Sequence, residues 1–176
     1  MRFWCECGKI LSNSTNPEIE YLFFSNHEWD GIVTDEKRYP SPLCIHCSKQ
    51  FFWLCPECKK LHLWQIGTFD RVALYELATG SNAKRESCQM RSQCECGKIL
   101  SNSTNPEIEY RIYSDDEWIE IVEEEEKYPS PLYIPFPKQT AWLCPECKRL
   151  HIWQSDSLDR LALYELVSEV QEPLEE

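Results

Sequence analysis

The pattern of apolar and polar positions predicts a strand followed directly by a helix near the start of the chain. Residues 18–25 alternate acidic or polar with apolar side chains before turning more hydrophobic, which is typical of a strand. Trp29, Ile32 and Val33 then lie at positions i, i+3 and i+4, the spacing of one apolar face of a helix. The same order of elements is expected wherever this pattern recurs.

The start of the helix carries its own signal. Ser25 and Glu28 fit the S-x-x-E capping box, in which both side chains satisfy exposed first amides of a helix. Ser114 and Glu117 repeat the signal further along the chain. We therefore predict two equivalent helices, one in each half of the chain.

Each helix is followed by a pattern that predicts three more strands. A strand from Trp53 leads into a Cys-Pro-Glu-Cys turn, and residues 61–65 form the next strand. Residues 71–77 alternate imperfectly, and their Ala, Leu and Glu favour a helix. We interpret this last segment as a strand.

The two halves are copies of one sequence. With a shift of 89 residues, positions 5–78 align with 94–167 without a gap, and 49 of these 74 positions are identical. The predicted organisation is a first module at 1–78, a polar linker at 79–93, a second module at 94–167 and an acidic tail at 168–176.

Each copy carries cysteines in a metal-binding pattern. It opens with Cys-x-Cys-Gly and later has Cys-Pro-Glu-Cys, with 47 residues between the two pairs. Zinc prefers four tetrahedral ligands, and two short cysteine turns brought together can supply them. We therefore predict two Zn²⁺ per chain, held by Cys5, Cys7, Cys55 and Cys58 and by Cys94, Cys96, Cys144 and Cys147.

Iron, disulfides and unliganded buried thiols are the alternatives to zinc. A rubredoxin-type iron site also uses two cysteine pairs, but not with the Cys-x-Cys spacing. Disulfides need an oxidising compartment, whereas the N-terminal sequence lacks the pattern of a signal peptide, so we expect a cytoplasmic chain without a membrane span. Four thiolates leave no open coordination position, which predicts a structural zinc and a poorly folded metal-free chain.

The first copy alone has a further Cys-x-x-Cys pair, Cys44 and Cys47. A third metal site would need two more ligands, which Cys88 with His46 or His27 could supply. The pair could instead join the second cysteine pair of its copy in a compact ribbon, or consist of unliganded or redox-active thiols. The second copy argues against the compact ribbon, because it lacks this pair and keeps the other four cysteines.

One histidine follows the last cysteine of each copy by four residues. His62 and His151 could each be a fifth ligand, a base, or an imidazole on a strand beside the metal site. We favour the last interpretation, because four cysteines already saturate the metal.

Overall, the two cysteine turns resemble those of a zinc ribbon with an inserted strand and helix. The resemblance implies an α+β fold of two tandem zinc-ribbon-like modules, each a small antiparallel sheet with one helix inserted between its two cysteine knuckles. Ribbons occur in transcription, repair, ribosomal and regulatory proteins, so the resemblance implies a fold far more than a function.

The charge of the chain argues for a basic partner. Thirty acidic residues against 18 basic ones give a net charge of −12, the wrong sign for nonspecific nucleic-acid binding. The excess is concentrated around the second helix, and the alternative to a docking surface is a solvated helix face. The candidate partner surface comprises Asp115, Asp116, Glu117, Glu120, Glu123, Glu124, Glu125 and Glu126.

These features favour a binding function over catalysis. The sequence has no phosphate loop, nucleophile elbow or H-E-x-x-H motif. Its knuckles look like those of short uncharacterised bacterial zinc-ribbon proteins, and some proteins of this style are immunity partners of basic toxins or nucleases. We expect a non-catalytic, zinc-stabilised protein-binding module, an acidic inhibitor or adaptor. The alternative is a zinc-ribbon nucleic-acid-binding or transcription-related regulator.

Overall fold

A computed structural model of the chain describes residues 1–35, 37–45, 48–68, 70–78, 91–124, 126–157 and 159–169. In the first copy, helix α1 (Asn26–Thr34) accompanies strands β1 (Phe3–Trp4), β2 (Ile10–Leu11), β3 (Glu20–Ser25), β4 (Gln50–Leu54), β5 (Leu61–Gln65) and β6 (Arg71–Leu77). In the second, helix α2 (Asp115–Glu123) accompanies β7 (Arg91–Gln93), β8 (Ile99–Ser101), β9 (Glu109–Ser114), β10 (Gln139–Leu143), β11 (Leu150–Gln154) and β12 (Arg160–Glu169).

Eight of these strands close into one antiparallel β-barrel, to which each copy contributes four. The strand order around the barrel is β10-β11-β12-β6-β5-β4-β3-β9, and β9 pairs back onto β10. The short pairs β1-β2 and β7-β8 form separate two-stranded sheets. The barrel is therefore shared between the copies.

The two copies meet at two seams where equivalent strands pair. In the first seam, β3 pairs with β9 and Phe23 lies opposite its own counterpart Ile112. In the second, β6 pairs with β12 and Glu76 lies opposite its counterpart Glu165. This symmetric register places an approximate two-fold axis through both seams.

The prediction of two separate α+β zinc-ribbon-like modules is wrong, because the structure has a single closed β-barrel with two short helices. The physical reason lies in the edge strands. β3 and β6 of a lone copy would each present a row of unpaired backbone groups, and closure of the barrel removes these edges. The sheet of each copy is half of a barrel.

All eight strands contribute apolar side chains to the barrel interior. Phe23, Phe52, Tyr75, Ile112 and Tyr164 are among them, and each is at most 5 % exposed. Burial of one such side chain contributes about 1.5–3 kcal/mol. The main core of the molecule therefore contains residues from both copies.

Both helices cover the outside of the first seam. Trp29 of α1 and Ile121 of α2 pack in one buried cluster with Phe24 and Tyr113 of the paired strands. The Trp29 and Tyr113 rings stack with their centroids 5.5 Å apart. The helices thus bury apolar surface contributed by both copies.

Several local predictions are confirmed. Ser25 and Glu28 form the predicted capping box, with the Glu28 amide donating to Ser25 Oγ at 3.2 Å, and Ser114 and Glu117 repeat it. Residues 71–77 form a strand, as predicted. Each nine-residue helix of the described chain is too short and too polar to cross a bilayer.

Candidate metal centres

Four cysteine sulfurs converge in each copy. In the first, Cys5 Sγ lies 3.5 Å from Cys58 Sγ and Cys7 Sγ lies 3.7 Å from Cys55 Sγ. The same two separations, 3.5 and 3.7 Å, recur in the second copy between Cys94 and Cys147 and between Cys96 and Cys144. Within each set all sulfurs lie within 4.8 Å of one another, so both predicted sets form compact clusters.

The size of each cluster fits a tetrahedral metal ion. Zinc–sulfur bonds of about 2.3 Å imply a sulfur–sulfur edge of about 3.8 Å in a regular tetrahedron. The observed separations of 3.5 and 3.7 Å are close to this edge. Two sites able to bind a metal are therefore part of the fold.

The backbone shapes each cysteine turn for this convergence. In the first turn the Cys5 amide donates to the Lys9 carbonyl at 2.8 Å, and Gly8 adopts φ +90°, which glycine tolerates without strain. In the second, the Lys59 amide donates to the Cys55 carbonyl at 3.0 Å, and Lys59 adopts φ +59°. A non-glycine residue in this region is uncommon, and here it closes the turn that aims both sulfurs inward.

The thiols of each centre have different electrostatic environments. Burial raises the pKa of the Cys5 thiol, whereas the hydrogen bond from the Lys9 backbone lowers the pKa of the exposed Cys7 thiol to about 7. The second copy repeats both effects at Cys94 and Cys96. A bound dication favours the thiolate form at every position, so metal binding and deprotonation are coupled.

One histidine contacts a buried cysteine sulfur of each centre. His62 Nε2 lies 3.3 Å from Cys5 Sγ, and His151 Nε2 lies 3.4 Å from Cys94 Sγ. Both imidazoles are fully buried, and burial lowers the pKa of His62 to about 4, so this ring is neutral. A neutral imidazole that donates to a ligating thiolate orients and stabilises the ligand.

In the second copy, a buried arginine fixes the histidine. Arg160 Nη1 lies 3.3 Å from His151 Nδ1 and 2.5 Å from Glu95 Oε1, and the arginine side chain is 2 % exposed. Arginine has only donors, so His151 Nδ1 must accept and its Nε2–H is directed at Cys94. Glu95, Arg160, His151 and Cys94 thus form one hydrogen-bonded chain beside the metal centre. Cys94, Glu95 and His151 also lie close enough together to form a further group of possible metal ligands.

The first copy lacks this arrangement. Arg71, the counterpart of Arg160, lies 3.5 Å from Glu6, and His62 Nδ1 has no hydrogen-bond partner among the described residues. The Phe3 ring instead contacts the His62 ring at a centroid distance of 5.0 Å. The counterpart of Phe3 is Ser92, and we attribute the access of Arg160 to this smaller residue.

In each copy, one carboxylate accepts hydrogen bonds both from a buried tryptophan and from an asparagine that follows the short strand pair, β1-β2 or β7-β8. Glu109 accepts hydrogen bonds from Trp142 Nε1 at 3.0 Å, from Asn102 Nδ2 at 2.9 Å and from Asn26 Nδ2 of the other copy at 3.0 Å. Glu20 is bonded in the same way to the tryptophan and asparagine of its own copy. These bonds satisfy a polar group that is costly to bury alone.

The two centres lie at opposite ends of the barrel. Each Cys-Pro-Glu-Cys turn joins neighbouring strands, β4 to β5 in the first copy and β10 to β11 in the second. Directions alternate around the antiparallel barrel, and β3 and β9 separate β4 from β10. β4 and β10 therefore run in opposite directions, and their turns point to opposite ends.

Three of the eight acidic residues predicted to form a partner surface have local structural contacts. Glu117 is half-buried and accepts the Ser114 amide at 3.2 Å in the capping box. Asp115 is half-buried, and burial, followed by the charge of Glu20, raises its pKa. Glu124 is paired with Lys127 at 2.5 Å.

The other acidic residues divide into an exposed set and one outside the described residues. Asp116, Glu120, Glu123 and Glu126 are exposed, and none of them forms an ion pair with another described residue. Glu125 lies outside the described residues. Asp116, Glu120 and Glu123 are spaced at i, i+4 and i+7 and so share one face of α2, which we name the acidic stripe.

The possible third metal site falls largely outside the described residues. His46, Cys47 and Cys88 are not among them. Cys44 is half-buried and belongs to no group of three or more potential ligands in the described part of the chain. The third site stays a prediction.

Apart from His62 and His151, which were expected beside the metal sites, sequence reasoning did not identify the residues that surround the metal ligands. Arg160, Glu95 and Glu109 each have an identical counterpart in the first copy, and that retention was the available signal. Their roles depend on which strands are neighbours in the barrel, and a single sequence does not show this.

One family model matches the chain in two places. The family is described as a domain of unknown function (DUF8617), and the matches cover residues 1–82 and 90–171. No curated protein and no solved structure matches the chain. Each match spans one four-cysteine centre and one half of the barrel.

Proposed function

Because the chain belongs to the family described as a domain of unknown function (DUF8617), whose domain it carries twice, we propose its function from its own chemistry. It is a non-catalytic, zinc-stabilised protein-binding module, an acidic inhibitor or adaptor that captures a basic protein on helix α2. A basic toxin or nuclease is the kind of partner that this chemistry suits.

The acidic stripe is the observation that carries this proposal. Asp116, Glu120 and Glu123 replace residues that α1 has as His27, Gly31 and Thr34 in the same three positions. Both helices pack on the same seam, so the barrel accepts either chemistry on this face. The carboxylates are therefore not a requirement of the fold.

The stripe also has an energetic cost in the isolated chain. Like charges at i and i+4, such as Asp116 and Glu120, destabilise a helix by about 0.2–0.5 kcal/mol per pair. Lys127, the described cation that follows α2 most closely, is paired with Glu124. A basic partner would remove the repulsion, and opposite charge would accelerate the encounter.

Zinc is the metal that the proposal assigns to the two centres. Four thiolates at tetrahedral spacing suit a closed structural zinc site, and the Cys-x-Cys spacing is unlike that of a rubredoxin iron site. Lys9 pairs with Glu57 at 3.2 Å and Lys98 with Glu146 at 2.8 Å, so cations lie beside both thiolate clusters.

The same chemistry supports a role without catalysis. Four sulfurs fill the coordination sphere of a zinc ion, so no position remains for water or substrate. The nearest imidazoles direct Nε2 at the ligating sulfurs Cys5 and Cys94. They are therefore positioned to support metal ligands rather than to act on a substrate.

The function is tested by capture of partners with two variants of equal charge. Asp116→Asn/Glu120→Gln/Glu123→Gln removes the acidic stripe, whereas Asp30→Asn/Glu107→Gln/Asp156→Asn removes three exposed charges from elsewhere. Recovered proteins are identified by mass spectrometry and then titrated, in purified form, against each chain at several salt concentrations.

The expected result is a basic protein whose Kd rises at least about tenfold with the stripe variant and little with the control, in a salt-dependent manner. Equal losses of affinity in both variants would mean that the stripe acts only through the net charge of the chain. Tight binding of DNA or RNA, with no basic protein recovered, would replace the proposal with the nucleic-acid alternative.

The metal assignment is tested by elemental analysis of the purified chain. We expect two zinc ions per chain, and one after either Cys58→Ser or Cys147→Ser, because each cysteine belongs to only one centre. Iron with visible thiolate charge-transfer absorption would contradict the zinc assignment.

A further inference from the structure

The interior of the barrel contains a cavity of about 160 Å³. An eight-stranded barrel is just wide enough to be filled by side chains or to hold one small ligand. Here small residues stand at several inward positions, among them Ala73, Ala141 and Ala162. Protein cores contain few voids larger than a water molecule, so a space of this size is unusual.

The cavity is built mainly by the first copy. Phe52, Ala73 and Tyr75 line it, whereas their counterparts Ala141, Ala162 and Tyr164 do not. The counterparts also pack in the barrel interior, but they lie away from the cavity. The approximate two-fold symmetry of the barrel is therefore broken inside as well as on the helices.

The walls are aromatic and aliphatic with a few polar groups. Phe23 and Tyr110 stack in the wall with centroids 4.3 Å apart, and leucines complete the apolar surface. Gln50 and Glu169 are its other polar lining residues, and Glu169 is exposed, so the cavity reaches the surface beside it. No lysine or arginine is among the described lining residues.

Two tyrosines, Tyr75 and Tyr110, line this space. Tyr75 is 5 % exposed and Tyr110 is half-buried, and neither hydroxyl forms a hydrogen bond with another described residue. A ligand that bonds to one of these hydroxyls takes the place of solvent and gains a hydrogen bond in mainly apolar surroundings. A tyrosine hydroxyl is protonated at neutral pH and can donate, and burial raises the pKa of Tyr75 further.

From this geometry we infer that the barrel is a binding site for a neutral, monocyclic aromatic molecule that carries one hydroxyl group, of the phenol class. A cavity of about 150 Å³ accommodates a benzene ring. The aromatic walls provide apolar contacts and the Tyr75 hydroxyl provides one hydrogen bond. Glu169 at the opening, with no cation in the described lining, disfavours anions. This site is independent of the acidic stripe.

The inference is tested by titration of the zinc-loaded chain with phenol, toluene and benzoate, followed by NMR chemical shifts. Phenol should bind saturably and about fivefold more tightly than toluene, as expected for one neutral hydrogen bond. Benzoate should not bind. The absence of saturable phenol binding, or equal binding of benzoate, would overturn the inference.

The repeat provides matched variants for the same titration. Tyr75→Phe should reduce the affinity for phenol to that for toluene, whereas Tyr164→Phe should leave both affinities unchanged. Ala73→Leu should abolish binding by filling the cavity, whereas Ala162→Leu should retain it. Near-ultraviolet circular dichroism and zinc content establish that each variant is folded. Equal effects of Tyr75→Phe and Tyr164→Phe would refute the assigned position.

Discussion

Replacement of Arg160 by methionine should destabilise the protein far more than the same replacement of its counterpart Arg71. The Arg160 side chain is 2 % exposed and bonds to both Glu95 and His151. Its loss would leave a carboxylate that is 33 % exposed and an imidazole nitrogen in a buried site. The side chain of Arg71 is 28 % exposed and lies 3.5 Å from Glu6.

The expected magnitudes follow from these exposures. Breaking a fully buried ion pair costs about 3–5 kcal/mol, and hydration of the partly exposed Glu95 lowers this to about 2–3 kcal/mol for Arg160→Met. A partly exposed pair is worth about 0–1 kcal/mol, so Arg71→Met should cost at most about 1 kcal/mol. The two variants should therefore differ by about 2 kcal/mol.

The assay is urea unfolding with zinc in excess, so that loss of metal does not determine the midpoint. A second readout is the rate at which a colorimetric chelator extracts zinc. Loss of a group that orients a metal ligand typically costs 10–100-fold in metal affinity, so extraction from one of the two sites should accelerate about tenfold in Arg160→Met. Arg71→Met should leave the release rate nearly unchanged.

Two results would refute this reasoning. Equal loss of stability in the two variants would mean that the Glu95–Arg160–His151 chain is no stronger than the exposed pair of the first copy. Unchanged zinc release in Arg160→Met would mean that His151 holds its position without Arg160. In addition, Arg160→Met/Glu95→Gln should regain part of the lost stability, because it removes the unpaired carboxylate.

Two further predictions concern the contacts between the copies. Asp115→Asn should raise the urea midpoint at pH 7, because burial and then the charge of Glu20 raise the pKa of Asp115 above the ordinary value of 3.8. The penalty of the native aspartate develops as pH rises from 3.8 through the folded pKa, so an equal midpoint at pH 7 would contradict a cost from burial and repulsion. Residues 1–82 and 90–171, co-expressed as separate chains, should associate and co-purify, since each half has two open sheet edges. Two stable, non-interacting monomers would show that the barrel seams are dispensable.

The local elements could be predicted because their signals lie close together in sequence. The capping boxes at Ser25 and Ser114 involve residues three positions apart, and both form in the structure. The cysteine turns are equally local, and their duplication indicated which four belong together. The sulfur–sulfur distances agree with that grouping.

The barrel could not be predicted in the same way, because its seams join strands far apart in the chain. The sequence did contain a partial signal. Leu22, Phe23 and Phe24 are consecutive apolar residues in β3, and all three are buried in the structure. A strand buried on both faces needs a layer on each side, which a small ribbon does not provide. The imperfect alternation of residues 71–77 has the same origin.

The surroundings of the metal ligands depend on small differences between the copies. Phe3 and Ser92 occupy equivalent positions, yet the first covers a histidine and the second leaves room for Arg160. In a comparison of the two repeats, the difference between Phe3 and Ser92 looks like ordinary sequence divergence. In a packed core, the difference in side-chain volume decides which group reaches the histidine.

The duplication within one chain is what permits the asymmetry on which both proposals depend. Two separate copies of one half-barrel would place identical residues on both helices and at both ends of the interior. In the fused chain, α1 and α2 cover the same seam, yet only α2 carries the acidic stripe. The cavity likewise involves Tyr75 and not Tyr164. The metal centres, the capping boxes and the symmetric seam register are present in both copies, whereas the acidic stripe and the cavity are each confined to one arrangement and so distinguish the two halves of the barrel.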